Sequence, residues 1–72
     1  MTGAITATAD ALDGIAAELE TAARHARIAA GHFRAQEVPR GCAHTLAVEG
    51  HLVQVRGRLE EIAVRHADHA QA

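Results

Sequence analysis

The stretch EVPRG, residues 37–41, decides the fold because it contains the only proline of the 72-residue chain. Proline disfavours helical angles in the residue before it and is tolerated at the first position of a helix. We therefore expect one helix to end near Gln36 and a second to begin between Pro39 and Gly41, with the glycine relaxing the turn. Two long helices joined by so short a link are expected to lie antiparallel.

Apolar residues recur every seven positions on both sides of this stretch, in two columns on each helix. The repeat predicts amphipathic helices with a coiled-coil seam. One constant antiparallel register matches the columns along their whole length, pairing Ala22 with Leu52 and Ile15 with Leu59. The sequence thus predicts an all-α, antiparallel two-helix hairpin, with helices at about 3–36 and 40–69, in a single domain over 1–72. The predicted hairpin core comprises Leu12, Ile15, Leu19, Phe33, Val48, Leu52, Val55, Leu59 and Ile62.

A second apolar surface lies on the second helix, away from the predicted seam. It includes two glycines, and a glycine inside a helix costs up to about 1 kcal/mol relative to alanine. Tolerated surface glycines are one explanation, and the close approach of another backbone is the other. We favour the second explanation, in which two hairpins form a four-helix bundle about a two-fold axis. The predicted oligomer interface comprises Leu46, Gly50, Val53, Gly57 and Val64.

Composition excludes several classes of protein. The chain has a formal net charge of −2 and neither Tyr nor Trp, whereas nucleic-acid binders usually carry a basic face and often stacking aromatic residues. No stretch reaches the roughly 18 apolar residues of a membrane span, and no leader pattern opens the chain. The single cysteine cannot form an intramolecular disulfide, which favours a reducing compartment. We expect a cytoplasmic protein that binds neither nucleic acid nor a membrane.

Four histidines share one flank of the predicted hairpin. His25 and His32 lie seven residues apart on the first helix, and His44 and His51 are seven apart on the second. The register sets His32 opposite His44 and His25 opposite His51. On the same flank, Glu18 comes opposite Arg58, and the opposite charges of this pair support the register independently.

Facing imidazoles are typical ligands of Zn, Cu or Ni. Successive histidine pairs would be about 10.5 Å apart along the helix axis, too far for one ion. A high-affinity metal site would therefore need further ligands, either from a second copy of the chain or from nearby Cys42 and Glu49. The alternative is that the imidazoles are polar filler at the edge of the seam. The candidate metal ligands are His25, His32, His44, His51 and Cys42.

The C-terminal histidines form a second candidate metal pair, His66 and His69. They lie three residues apart on one helix face, in the seam columns opposite Thr8 and Ile5. A polar, loosened end of the bundle explains the same pattern. Protonation is a third role for the histidines, because six imidazoles could make a mildly acidic protein basic in mild acid.

Catalytic motifs are missing from the sequence. No serine is present for a triad, no glycine-rich phosphate loop occurs, and no Glu-x-x-His pair of a di-iron bundle appears. We expect a non-enzymatic, cofactor-free helical interaction or scaffold protein that self-associates through an apolar helix face and binds a protein partner. The alternatives are a histidine-rich bundle that binds or senses a divalent transition metal, and a pH-responsive oligomer.

Overall fold

The computed structural model describes residues 2–67, which form two helices packed side by side as an antiparallel hairpin. Helix α1 spans Thr2–Arg34 and helix α2 spans Val38–Arg65. The molecule is a rod with extents of 52 × 18 × 16 Å. The predicted all-α hairpin is confirmed. The predicted end of the second helix at residue 69 lies outside the described residues, and neither described helix is long and apolar enough to cross a membrane.

The turn between the helices is built by Gln36, which has a φ of 66°. Its N–H donates to the carbonyl of Phe33 at 3.0 Å, and the N–H of Glu37 donates to the carbonyl of His32 at 2.8 Å. This pair of bonds around a left-handed residue is the Schellman motif, which satisfies the last carbonyls of a helix. Helix α1 therefore ends at Arg34, two residues before the expected position.

Helix α2 begins at Val38, two residues earlier than the predicted residue 40. Pro39 lies in its first turn, where a helix leaves N–H groups unpaired in any case. The carbonyl of Glu37 already accepts the N–H of Gly41 at 3.0 Å. The proline thus lies at the start of the helix, as expected, but at its second residue and not at its first.

The sequence suggested that Gly41 relaxes the turn. Instead, Gly41 lies after the turn and is buried inside the first turns of α2. A Cβ built on it would lie 2.6 Å from Cε2 of Phe33, closer than side-chain atoms approach one another. The glycine is needed because the Phe33 ring of α1 lies directly against the α2 backbone. This contact fixes the pairing of the helices at the turn end.

The opposite end of the hairpin shows the same register. The Oγ1 of Thr8 and the Nε2 of His66 form a hydrogen bond of 2.7 Å, and Arg65 Nη1 donates to the same hydroxyl at 3.2 Å. The predicted placement of His66 opposite Thr8 is confirmed. One register therefore runs from the turn to the open end.

The buried core is narrower than the nine predicted residues. Only one column of each helix is buried: Ile15, Ala22 and Ala29 on α1 and Val55 on α2 are 4–6% exposed. Val48 and Ile62 are half-buried. The other five predicted core residues remain 41–45% exposed and are called the leucine edge below: Leu12, Leu19, Phe33, Leu52 and Leu59.

The partial exposure of the leucine edge follows from the number of helices. Two cylinders touch along one line, so a hairpin can bury a single column from each helix, while the neighbouring column stays at the margin. A two-column seam on both helices becomes fully covered when further helices pack against it. The core prediction is therefore wrong for these five residues in the isolated hairpin.

Candidate functional site

Four imidazoles form a continuous row along the groove between the helices, called the histidine ladder: His32, His44, His25 and His51. The rings alternate between α1 and α2, and the centroids of successive rings are 5.4, 5.1 and 5.6 Å apart. The predicted pairs His32–His44 and His25–His51 are both stacked, with interplanar angles of 19° and 23°. The histidine spacing in the sequence thus produces one row of rings.

The centre of the ladder is a hydrogen bond between two imidazoles. The Nδ1 atoms of His25 and His44 lie 2.9 Å apart. One ring donates its N–H and the other accepts with a lone pair, so the two rings hold different protonation forms at this nitrogen. The sequence analysis missed this diagonal contact because it treated the facing pairs as separate rungs. The ring of His44 instead lies between those of His32 and His25, which joins the two rungs.

A carboxylate holds each end of the ladder. At one end, His51 Nδ1 donates to Oε2 of Glu18 at 3.0 Å, and Arg58 lies 3.4 Å from the other oxygen of the same carboxylate. The predicted Glu18–Arg58 pair is confirmed. Glu18 is largely buried, with 16% of its side chain exposed, while 29% of the His51 side chain is exposed.

At the turn end, His32 Nδ1 donates to Oε1 of Glu37 at 3.2 Å, and Arg40 donates to Oε2 at 3.2 Å. The sequence analysis did not assign Glu37 to the site, because the residue belongs to the link and not to a heptad column. The Schellman turn brings it under His32. The ladder is therefore four neutral or cationic rings between two anionic groups.

The candidate metal ligands are brought into a row and not to one point. Within residues 2–67, no group of three or more His, Cys, Asp or Glu side chains is arranged to hold a metal ion. Cys42 is an exposed free thiol on α2. His66 contacts Thr8, and its predicted partner His69 lies outside the described residues.

The predicted oligomer interface is open in the hairpin. Leu46, Val53 and Val64 are 60–79% exposed on α2. A Cβ built on Gly50 or Gly57 would meet nothing within 4 Å, so no contact inside the hairpin requires these glycines. Whether this face is covered in an assembly stays a prediction.

The leucine edge lies on the other side of the seam from the histidine ladder. At about 100° per residue, the buried column of each helix falls between its histidine column and its leucine column. Next to the leucine edge, a shallow depression on α2 is lined by Glu49, Leu52, Val53 and Arg56. The hairpin therefore has one polar and one apolar long edge.

Comparisons with known proteins add no constraint: the chain matches no protein-family model, no curated protein sequence and no solved structure.

Proposed function

We propose that this chain is a non-enzymatic helical interaction module that self-associates through the leucine edge into a four-helix bundle and binds a protein partner as that assembly. The observation that carries the proposal is the exposure of the leucine edge, where five large apolar side chains stand in one strip, each 41–45% exposed. Contiguous apolar strips of this kind mark interaction sites on small proteins.

The accessible surface of the hairpin supports a second copy as the occupant of this strip. The chain exposes 5354 Å², whereas a compact monomer of its mass, 7.6 kDa, exposes about 4,300 Å². A standard interface buries about 800 Å² on each partner. Covering the leucine edge with another hairpin would therefore remove most of the excess surface.

The charges beside the leucine edge suit a two-fold contact. Glu49 lies three residues before Leu52, and Arg56 lies three residues after Val53. If α2 packs antiparallel on the α2 of a second copy, with the axis between residues 52 and 53, Glu49 meets the second copy's Arg56. Symmetry repeats this ion pair on the other side of the axis.

Sedimentation at micromolar concentration tests the proposal. We expect a dimer for the unaltered chain and a monomer for Leu59→Glu, with an affinity loss of at least about a hundredfold. Val64→Glu is the matched control, because Val64 belongs to the interface predicted from the sequence, on the outer side of α2, where it is 79% exposed. If the leucine edge and not this outer face is the interface, the variant should remain dimeric. A monomeric unaltered chain would refute the proposal, and a monomeric Val64→Glu would move the interface to the outer face.

Charge reversal identifies the arrangement of the two copies. Glu49→Arg and Arg56→Glu should each weaken the dimer, because each change sets like charges across the interface twice. The double variant should restore the association. Failure of the double variant to recover would reject the two-fold contact between the α2 helices, while the choice of the leucine edge would still stand on Leu59→Glu.

A second candidate function, binding of a divalent transition metal, is favoured by one observation. The Nδ1 atoms of His25 and His44 face each other at 2.9 Å, and imidazole nitrogens from two helices are suitable ligands for Zn, Cu or Ni. Two donors from one hairpin leave the remaining coordination positions to water or another copy. Added Zn²⁺ should then raise the melting temperature of the unaltered chain and not that of His44→Asn, and an equal response would reject a site at this pair.

A further inference from the structure

Four exposed charged residues follow one another at every seventh position of α1, next to the leucine edge and further from α2. They are called the charge column: Asp13, Glu20, Arg27 and Arg34. Two acids are followed by two bases, so the column read from its far end has the opposite sign at every position. Within residues 2–67, none of these four side chains makes a hydrogen bond or an ion pair. The hairpin therefore leaves a self-complementary row of charges unpaired.

A second α1 that packs antiparallel along this row pairs all four charges. Asp13 then meets the second copy's Arg34. Glu20 meets the second copy's Arg27, and the two-fold axis repeats both pairs. Sliding the second helix by one heptad in either direction would set Glu20 against Glu20 or Arg27 against Arg27. Only one antiparallel register of the charge column is therefore free of like charges.

The axis of this pairing coincides with the axis that the charges of α2 favour. The charge column places the axis between residues 23 and 24 of α1, and the ion pairs proposed for α2 place it between residues 52 and 53. The stacked rings of the histidine ladder and the hydrogen bond at the open end show which residues of the two helices lie level. By these contacts, the α2 axis is level with residues 21–24 of α1. Two charge patterns that are separate in the sequence thus agree on one axis to within about 3 Å.

The surface between the charge column and the leucine edge allows the two α1 helices to approach closely. Every seventh residue on this surface is an alanine: Ala9, Ala16, Ala23 and Ala30. Alanine at a helix contact permits an axial separation near the lower end of the usual range, about 8 Å. At that separation the flanking side chains of Glu20 and Arg27 can reach across the contact.

A different arrangement of two leucine edges uses these charges less well. If the two-fold axis runs along the rod, α1 packs on the second copy's α2. Glu20 then meets the second copy's Arg56. Arg27 meets the second copy's Glu49, but the two outer members of the charge column face no opposite charge within Val38–Arg65. The antiparallel contact between two α1 helices is therefore favoured.

We propose that α1 forms the second half of the self-association interface by packing antiparallel on the α1 of a second copy, and that the charge column selects this arrangement over packing of α1 on α2. This arrangement rests on the self-association proposed above and adds which helices meet. The turn of each hairpin then lies beside the open end of the other.

Charge reversal, with the dissociation constant of the dimer as the readout, tests the arrangement. Glu20→Arg sets like charges across the interface twice, so we expect the dissociation constant to rise on the order of tenfold. Adding Arg27→Glu should restore it to within about twofold, whereas adding Arg56→Glu should weaken the dimer further. Asp10→Arg is the matched control, because it reverses an exposed acid of α1 outside the charge column and should leave the dissociation constant unchanged.

The outcomes separate this arrangement from the proposed function. Rescue of Glu20→Arg by Arg56→Glu and not by Arg27→Glu would overturn the arrangement and leave self-association through the leucine edge standing. A dimer that does not respond to Glu20→Arg would likewise overturn the arrangement alone. An unaltered chain that sediments as a monomer would overturn both.

A distance between the two copies gives an independent readout. Nitroxide labels are placed on Asp10→Cys in a chain that also carries Cys42→Ala, since Cys42 is an exposed thiol. In the proposed arrangement the two labels should be about 40 Å or more apart, because residue 10 lies far from the axis. Copies related by an axis along the rod would hold the labels at the same level, less than about 30 Å apart. That shorter distance in a dimer would refute the contact between the α1 helices.

Discussion

The two long edges of the hairpin flank the same buried seam, but their side chains find their contacts in different ways. On the histidine edge, imidazoles and carboxylates reach across the groove and find partners 2.9–3.2 Å away within the same chain. On the leucine edge, five apolar side chains from the two helices line the groove and remain 41–45% exposed. Polar groups need one well-placed partner, whereas apolar groups need to be surrounded. A two-helix protein can therefore satisfy one edge by itself and leaves the other for a further surface.

The largest expected loss of stability comes from the buried column, and its dependence on protein concentration should differ from that of a loss at the leucine edge. Ile15→Ala should destabilise the protein by about 2–4 kcal/mol, because Ile15 is 5% exposed and its removal leaves a cavity. Leu12→Ala, at the leucine edge, should have an effect that grows with protein concentration if a second copy covers Leu12, as we propose. Urea unfolding over a hundredfold range of concentration measures both. If both losses of stability were independent of protein concentration, a second copy would not cover Leu12, and the two regions would not differ in this respect.

A smaller effect is expected at the turn end of the leucine edge. Gly41→Ala places a methyl group 2.6 Å from the Phe33 ring, so the ring must swing away, at a cost of about 1–3 kcal/mol. Gly57→Ala, which meets nothing within 4 Å, is the control and should stabilise the helix by up to about 1 kcal/mol. Thermal unfolding of the two variants gives the comparison. Equal shifts in both would mean that Phe33 does not fix the end of the seam.

The smallest effect concerns the turn from which both edges start. Gln36 has a φ of 66°, a conformation that glycine adopts without strain, so Gln36→Gly should stabilise the hairpin by about 0.5–1 kcal/mol. Gln54→Gly, in the middle of α2, is the matched control and should cost about 1 kcal/mol. Calorimetry can resolve the two opposite shifts. Destabilisation of Gln36→Gly would show that the glutamine side chain itself supports the turn.

The sequence was sufficient to predict which columns face each other. The seven-residue spacing of His25 and His32, matched by His44 and His51, placed the four rings on one flank in the correct register. The heptad pattern specifies the direction of a side chain but not how deeply it is buried, which depends on how many helices surround it. Leu52 and Leu59 were for this reason assigned to the core and are found at its margin.

Two further features have no signal in a periodic pattern. Gln36 adopts a left-handed conformation that is usually marked by glycine, and the next glycine along the chain, Gly41, serves a packing contact instead. Glu37 reaches the ladder only because the turn places it under His32. Both depend on the local path of the link, which three residues, 35–37, determine between Arg34 and Val38.

The shortness of that link constrains the evolution of the whole molecule. Each residue added to a helix rotates everything after it by about 100°. A single insertion in the link that is absorbed into α2 would turn the imidazoles of His44 and His51 away from α1 and bring other columns into the groove. Loops of most proteins tolerate changes of length. Here the three-residue length of the link determines which side chains of α2 face the groove and which lie on the outside of the rod. Deletions and insertions should accordingly be far less tolerated at residues 35–37 than substitutions.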